Sequence, residues 1–259
     1  MKRILCAAAI LVAFGLQAHD ATAGQPYVQI ETGIVSRDIV EEDASIQGFT
    51  FGGTAESTRV LARVGFNFND FVSMYALGGG ADLSIDEFNG FDSSLSGAFG
   101  GGVRFDMRVS PYRGGLRLFV EGSMLHTSAD DTVQADFGCT AANGCTAAAQ
   151  GAFVPRLAQE TIEWNEYTVL LGAAARYRAY GPYGGVRLSW VDATDKVRAP
   201  ADENFSTEFR ADADLKEQDN FGIFLGTDFY LDRSGKTALN LEFSLFDQES
   251  FRVAVRRSF

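Results

Sequence analysis

The residues best suited to acid–base or nucleophilic chemistry are few, because the chain contains two histidines and three cysteines. His126 and Ser128 stand two positions apart, in the sequence His-Thr-Ser-Ala. An imidazole beside a hydroxyl can remove its proton and turn the oxygen into a nucleophile. The histidine of such a pair needs a third group to orient it, and the sequence identifies no glutamate for this role. His126 and Ser128 therefore remain catalytic candidates only, and the sequence favours a chain that is not an enzyme.

Arginines and carboxylates form a second set, because they recur at every other position of several segments. The set contains Arg59, Arg63, Arg104, Asp106, Arg108, Arg117, Glu121, Arg176, Arg178, Arg187, Asp228 and Glu242. Residues that alternate in this way lie on one face of a β-strand. If that face lines a narrow interior, each charge must be paired or hydrated, which favours an ion-pair network that fills the interior. The alternative is a narrow diffusion channel, in which the excess of arginine would favour anions.

Alternation with period two is the dominant pattern along the chain. In the clearest segment, apolar residues and glycines occupy the odd positions from Leu95 to Val109, while Arg104, Asp106 and Arg108 occupy even ones. One face of such a strand suits lipid and the other suits a polar interior, which is typical of a transmembrane β-barrel. Similar segments lie near 59–68, 116–124, 167–178, 186–190, 221–231 and 239–245, with weaker ones near 27–35 and 71–81.

The connections between these segments are alternately short and long. Tight turns are expected at 69–70, 110–115, 181–182 and 232–236, and long polar stretches at 37–57, 83–94, 128–160 and 192–219. With a last short turn at 247–250, the pattern predicts an all-β, antiparallel up-and-down barrel of about ten strands with short periplasmic turns and long extracellular loops. Eight strands would result if a weak segment is loop, and twelve if 128–160 hides a hairpin.

Aromatic residues cluster beside the tight turns. Phe66, Phe68 and Phe71 flank the first turn, Tyr112 the second, Tyr180 and Tyr183 the third, and Phe229 and Tyr230 the fourth. Outer-membrane barrels carry such rings as a girdle at the membrane interface, so this placement supports the predicted topology.

The N-terminus predicts export. Lys2 and Arg3 precede an apolar run from 4 to 16, and Ala21-Thr22-Ala23 is a small-residue cleavage pattern, so residues 1–23 are expected to be a signal peptide and residues 24–259 the barrel domain. Removing the leader leaves 20 basic and 33 acidic residues, a net charge of −13 that excludes nucleic acid as a partner bound through charge. Cys139 and Cys145 enclose Asn143-Gly144, and in an oxidising compartment they are expected to form a disulfide.

The chain ends in a pattern with its own meaning. Phe251, Val253, Val255 and the terminal Phe259 alternate with polar residues, apart from Arg257. This ending resembles the C-terminal strand of bacterial outer-membrane barrels. Together with the leader and the segment 100–105, it makes the chain similar to the small outer-membrane barrel superfamily of OmpA-, OmpX- and opacity-type proteins.

The resemblance implies a location in the bacterial outer membrane. Expected partners are outer-membrane lipids, lipopolysaccharide and, through the C-terminal strand, the barrel-insertion machinery. The resemblance implies no cofactor. The acidic stretches that include Asp38, Glu41, Asp202 and Asp212 could bind divalent cations, although no calcium-loop motif is present. The function favoured by these observations is a structural or surface-interaction role.

Two enzyme families with barrel folds offer comparisons. The spacing of His126 and Ser128 is similar to that in lipid A deacylase barrels, which leaves a membrane-embedded, lipid-modifying hydrolase as an alternative function. The omptin-type proteases also have about ten strands but need paired aspartate and histidine residues. His126 has no aspartate at that spacing, so protease activity is not expected.

Overall fold

The computed structural model describes residues 24–41, 52–86, 91–109, 115–138 and 153–259, and all regular secondary structure in them is β-strand. The predicted leader and both Cys139 and Cys145 lie outside these ranges. The strands are β1 (Gln25–Glu41), β2 (Gly52–Asn67), β3 (Val72–Ala81), β4 (Ser84–Ile85), β5 (Phe91–Asp92), β6 (Ser96–Arg108), β7 (Arg117–Gly138), β8 (Phe153–Ala174), β9 (Tyr180–Ala199), β10 (Phe209–Glu217), β11 (Phe221–Tyr230), β12 (Thr237–Leu245) and β13 (Glu249–Ser258).

Ten of the described strands form a closed antiparallel ring. Its members, in chain order, are β1, β2, β3, β6, β7, β8, β9, β11, β12 and β13, each hydrogen-bonded to the next. β1 closes the ring, because Ile30 pairs with Ala62 of β2 on one side and with Val255 of β13 on the other. The predicted up-and-down barrel is confirmed with ten strands, and the alternatives of eight and twelve are wrong for the described ring.

The two ends of the barrel differ. At one end, here called the turn end, β1 begins, β13 finishes and the connections are short. In the turn between β11 and β12, Asp232 accepts hydrogen bonds from the backbone amides of Lys236 and Thr237, and Gly235 adopts a φ of 69° that glycine tolerates without strain. The opposite end, here called the loop end, carries the longer connections.

The ring becomes narrower toward the loop end. β11, β12 and β13 stop early there, and β10 takes their place between β9 and β1: Lys216 pairs with both Asp192 and Val40. β4 and β5 continue the hairpin of β3 and β6, and β5 lies against β7. The wall therefore changes from ten strands to eight segments, which are β1, β2, β4, β5, β7, β8, β9 and β10.

Two predictions about connections are wrong. The long polar stretches are largely strand, since β7 runs to Gly138 and β8 starts at Phe153. The third tight turn lies at 175–179 rather than at Gly181-Pro182, which belong to β9. The sequence did not predict the loop-end strands because the two faces exchange polarity there. Ala129, Ile162 and similar apolar residues point inward, while polar residues face outward.

Closer to the turn end, the apolar face points outward as predicted. Val64, Phe105, Leu118, Leu225 and Phe243 are all exposed on the outer wall, as lipid-facing residues must be. Rings of the predicted girdle also face outward, including Phe66, Phe68, Phe71, Tyr180 and Phe229. The girdle prediction is wrong for Tyr183 and Tyr230, whose side chains turn into the barrel interior.

Glycines on the inner wall make room for aromatic rings of neighbouring strands. A methyl group on Gly226 would lie 2.3 Å from the Tyr183 ring, and one on Gly172 would lie 2.5 Å from the Phe119 ring. In the same way, a methyl group on Gly65 would clash with the Tyr27 ring, and one on Gly102 would clash with the Tyr75 ring. The rings lie flat over the glycines, so these positions fix how the interior is packed.

Gly226→Ala is expected to destabilise the barrel by about 1–3 kcal/mol, because the added methyl group must displace Tyr183 or the backbone. Heating the folded protein and following its mobility on gels would show a lower unfolding temperature. Gly97→Ala is the matched control, since nothing lies within 4 Å of a methyl group built there. Equal unfolding temperatures for the two variants would contradict this packing role.

Candidate functional site

The barrel interior holds two layers of ion pairs, the first near mid-height. In this middle cluster, the Arg63 guanidinium lies 3.4 Å from Glu121 and 3.5 Å from Glu31, and it stacks 4.0 Å from the centre of the Tyr75 ring. Glu121 accepts a 2.6 Å hydrogen bond from the Tyr75 hydroxyl. The other members are Arg104, which pairs with Asp106 and Glu121, and Arg252, which pairs with Glu242 at 2.8 Å and Glu31 at 3.6 Å.

The second layer lies toward the loop end and is organised by Glu166. In this upper cluster, three guanidinium groups converge on the Glu166 carboxylate, from Arg59 at 2.8 Å, Arg37 at 3.0 Å and Arg187 at 3.4 Å. Its remaining members are Glu217, 3.2 Å from Arg37, and Asp247, 3.1 Å from Arg187. A charge that is removed from water in this way is tolerated only when it is paired with an opposite charge. Every charged residue of the upper cluster has such a partner.

The short turn between β12 and β13 contributes to the upper cluster by folding inward. Phe246 has a φ of 85° and stays exposed, while Asp247 and Gln248 are buried. Gln248 accepts a hydrogen bond from Arg37, and Asp247 accepts one from Ser189. Gly222 makes this possible, because a methyl group there would lie 1.9 Å from the Asp247 carboxylate.

Above the upper cluster, the interior is apolar. A buried hydrophobic core fills the loop end where the ring has narrowed, and it consists of Ile39, Ala55, Leu83, Ile85, Phe91, Ala129, Ile162, Trp164, Val191, Ala193 and Leu215. The side chains come from all eight wall segments, so the core reaches across the interior from wall to wall. Buried apolar side chains that pack together in this way are typical of a protein core.

A pair of buried carboxyl groups interrupts this apolar region. Glu160 and Asp195 point inward from β8 and β9, and their side chains are hydrogen-bonded to each other. Above them lies a second apolar group, formed by Val133, Ala158 and Ala199. Burial, together with the adjacent Asp195 charge, raises the pKa of Glu160 to about 8, so the two groups share a proton at neutral pH.

Two cavities lined by described residues lie within the barrel. The smaller has a volume of about 120 Å³ and lies between the two clusters, where Arg59, Glu166 and Arg187 line it. The larger, here called the vestibule, has a volume of about 790 Å³ and reaches the turn end between Asn69, Gly115 and Ser234. The middle cluster forms the inner limit of the vestibule.

Only some of the charged residues predicted to line the interior belong to the two clusters. Arg59, Arg63, Arg104, Asp106, Glu121, Arg187 and Glu242 join the two clusters, and Asp228 pairs with Arg256 at 3.0 Å. Arg108 lies at the turn-end rim with Asp70, 2.9 Å away, and Arg178 is exposed. Arg117 and Arg176 line the vestibule.

Sequence reasoning missed half of the cluster residues. Glu31, Arg37, Glu166, Glu217, Asp247, Arg252 and Arg256 were absent from the predicted set, although the structure places all of them in ion pairs. Glu166, Arg252 and Arg256 stand in the inward register of strands that the sequence identified, so the alternation alone could have found them. Glu217 and Asp247 lie in segments expected to be loops, where no alternation indicates an inward-facing position.

The His126 side chain is on the outer wall, close to the loop-end edge of the apolar band. Its Nδ1 lies 2.9 Å from the Asn165 side-chain oxygen, and its ring packs at 4.8 Å on Phe99. Ser128 pairs in register with Glu163, but no hydrogen bond among the described residues joins it to His126. Among the described residues, His126 and Ser128 are therefore not joined as a hydrogen-bonded base and nucleophile.

The remaining predicted features are structural. Phe251, Val253 and Val255 face outward on β13, whose Phe259 amide donates to the Pro26 carbonyl and so joins the two chain ends. In the described ranges, no group of three or more His, Cys, Asp and Glu side chains could hold a metal ion. No helix in those ranges is long and apolar enough to cross a membrane.

The fold matches solved outer-membrane barrels. The outer membrane protease OmpT from Escherichia coli aligns with a TM-score of 0.52 and 10% identity, over 95% of this chain and 99% of that one. OprG from Pseudomonas aeruginosa aligns at 0.42 and 9%, over 92% and 97%. No family model and no curated protein sequence matches this chain. Identities this low show the fold alone: the chain has the fold of outer-membrane β-barrels.

Glu166→Gln is expected to lower the free energy of unfolding by about 3–5 kcal/mol, because three arginines would lose their common counter-charge. Urea titration followed by tryptophan fluorescence would measure the change. Glu163→Gln, on the outer wall of the same strand, is the matched control and should have little effect, because exposed ion pairs contribute little. If both variants unfold alike, Glu166 does not organise the upper cluster.

The shared proton of Glu160 and Asp195 predicts a pH dependence. The folded protein holds this proton up to about pH 8, whereas an unfolded glutamate releases it near 4.5. Stability should therefore fall as pH rises through this window, since the folded state binds more protons than the unfolded state. Glu160→Gln should flatten the decline in unfolding temperature between pH 5 and 8 relative to Glu163→Gln. An unchanged slope would contradict the shared proton.

Proposed function

We propose that this protein is a non-conducting outer-membrane barrel that acts as a structural and surface-interaction scaffold. The observation that carries the proposal is the filled interior, in which two layers of ion pairs are followed by an apolar core at the extracellular end. Water and ions entering from the periplasm would meet the middle cluster first and the close-packed core last. The barrel interior then serves rigidity rather than passage.

The charge balance of the interior argues against an anion channel. The upper cluster contains three arginines, Arg37, Arg59 and Arg187, and three carboxylates, Glu166, Glu217 and Asp247. The middle cluster contains three arginines, Arg63, Arg104 and Arg252, and four carboxylates: Glu31, Asp106, Glu121 and Glu242. The excess of arginine on which an anion preference would depend is therefore neutralised by carboxylates.

The outer wall supports contacts with the membrane and with the cell exterior. The apolar band faces lipid, and above it the long strands present polar residues such as Asp130, Thr161 and Glu163 to the outside. Strands that rise beyond the band hold the extracellular connections away from the membrane surface, where lipopolysaccharide or other partners would meet them. The outward apolar residues of β13 suit recognition by the insertion machinery.

Planar-bilayer recording tests the proposal. The purified protein should insert without discrete conductance steps, because the ion-pair layers and the apolar core both block the interior. The variant Phe91→Ala/Trp164→Ala opens only the apolar core and should also show no conductance, since the ion-pair layers still block the interior. Adding Arg187→Ala to this variant breaks the ion-pair layers as well, and the resulting protein should conduct. Each variant must first show the heat-modifiable mobility of a folded barrel. Conductance steps from the unaltered protein would refute the scaffold.

A further inference from the structure

The vestibule is a large interior cavity, lined by described residues, that the scaffold does not explain. It has a volume of about 790 Å³, opens toward the periplasm and ends at the middle cluster. A cavity of this size is in the range of small-molecule binding sites, although only a few polar groups normally fix the ligand. The charged groups that remain available for a ligand are those that form no ion pair within the protein.

Every carboxylate that lines the vestibule already has a basic partner. Asp106 and Glu121 pair with Arg104, Glu242 pairs with Arg252, Asp228 pairs with Arg256, and Asp70 pairs with Arg108. Among the lining residues that the structure describes, Arg117, Arg176 and Lys236 form no ion pair. The vestibule thus keeps an uncompensated positive charge, in a protein whose net charge is strongly negative.

Two of the three free cations, Arg117 and Arg176, lie near Tyr230. The Arg176 guanidinium stacks 4.7 Å from the centre of the Tyr230 ring, and the charge of Arg117 acts on the same phenol. Arg117 also pairs in register with Arg108, a like-charge arrangement that costs free energy unless a negative group relieves it. The positive potential is therefore concentrated at one place on the wall.

A second, independent feature of the same wall is a buried side-chain oxygen that accepts no hydrogen bond. The buried Asn240 side chain donates hydrogen bonds of 2.8 Å to Asp228 and to the Tyr183 hydroxyl, but its own oxygen accepts none. A buried acceptor in this state is satisfied by water or by a donor group of a ligand. Aromatic side chains, including Tyr230 and Phe119, supply flat apolar surface beside it.

We propose that the vestibule binds a small organic anion that enters from the periplasm, with its carboxylate or phosphate between Arg117 and Arg176. A planar part of the ligand would lie against the Tyr230 ring. Arginine suits this role because its fork of donors matches both kinds of oxyanion. The inner limit of the cavity makes the site a receptor pocket rather than a passage, so this binding function adds to the scaffold role.

Fluorine NMR on the whole barrel in nanodiscs tests the proposal with three probes of one shape. The resonances of 4-fluorobenzoate and 4-fluorophenyl phosphate should broaden on addition of the protein, and the relative response of the two separates carboxylate from phosphate preference. The cation 4-fluorobenzamidine should be unaffected, because the free charges on the wall are positive. Empty nanodiscs control for binding to lipid.

Arg117→Gln/Arg176→Gln should weaken binding of the responding anion at least about tenfold, since both charged hydrogen bonds to the oxyanion would be lost. The control is Arg178→Gln, which removes one positive charge from an exposed position outside the vestibule. The proposal is overturned if neither anion binds, if benzamidine binds equally well, or if the double variant keeps the affinity of the control.

Discussion

The need to neutralise buried charge at the centre of a narrow barrel governs this structure. Once a sheet closes on itself, every second residue points inward, and the interior is too confined for unpaired ions. Glu166 shows the constraint directly, because three guanidinium groups from three different strands meet on one carboxylate. The position of β1, β2 and β9 relative to β8 is thereby fixed from inside the wall as well as by the backbone ladders.

The outer face of the wall is apolar in one part and polar in the other, and the polarity of the interior is the opposite in each part. Where the outside is lipid, the inside is polar and ion-paired. Where the strands rise above the apolar band, the outside is polar and Trp164, Ile162 and Phe91 make the inside apolar. The upper part therefore resembles a water-soluble β-barrel standing on a membrane barrel, and the upper cluster lies at the boundary between them.

This reversal explains which features could be predicted from the sequence. The strands inside the membrane followed from the alternation of apolar and charged residues between Leu95 and Val109 and in similar segments, so the ten-stranded ring was predictable. The loop-end strands were missed because their alternation has the opposite phase and their outer faces resemble polar loops. Arg37, Glu217 and Asp247 were missed with them, since Arg37 and Glu217 lie in the loop-end parts of β1 and β10, and Asp247 reaches the interior through an inward-folded turn.

β10 also has a consequence for the order in which the protein can assemble. Its partners, β1 and β9, come from opposite parts of the chain, and β1 must at the same time pair with β2 and β13. The eight-segment rim therefore cannot close until the first strand has met the last third of the chain. Contacts between positions so distant in sequence form slowly, which makes closure of the loop-end rim a late step in folding.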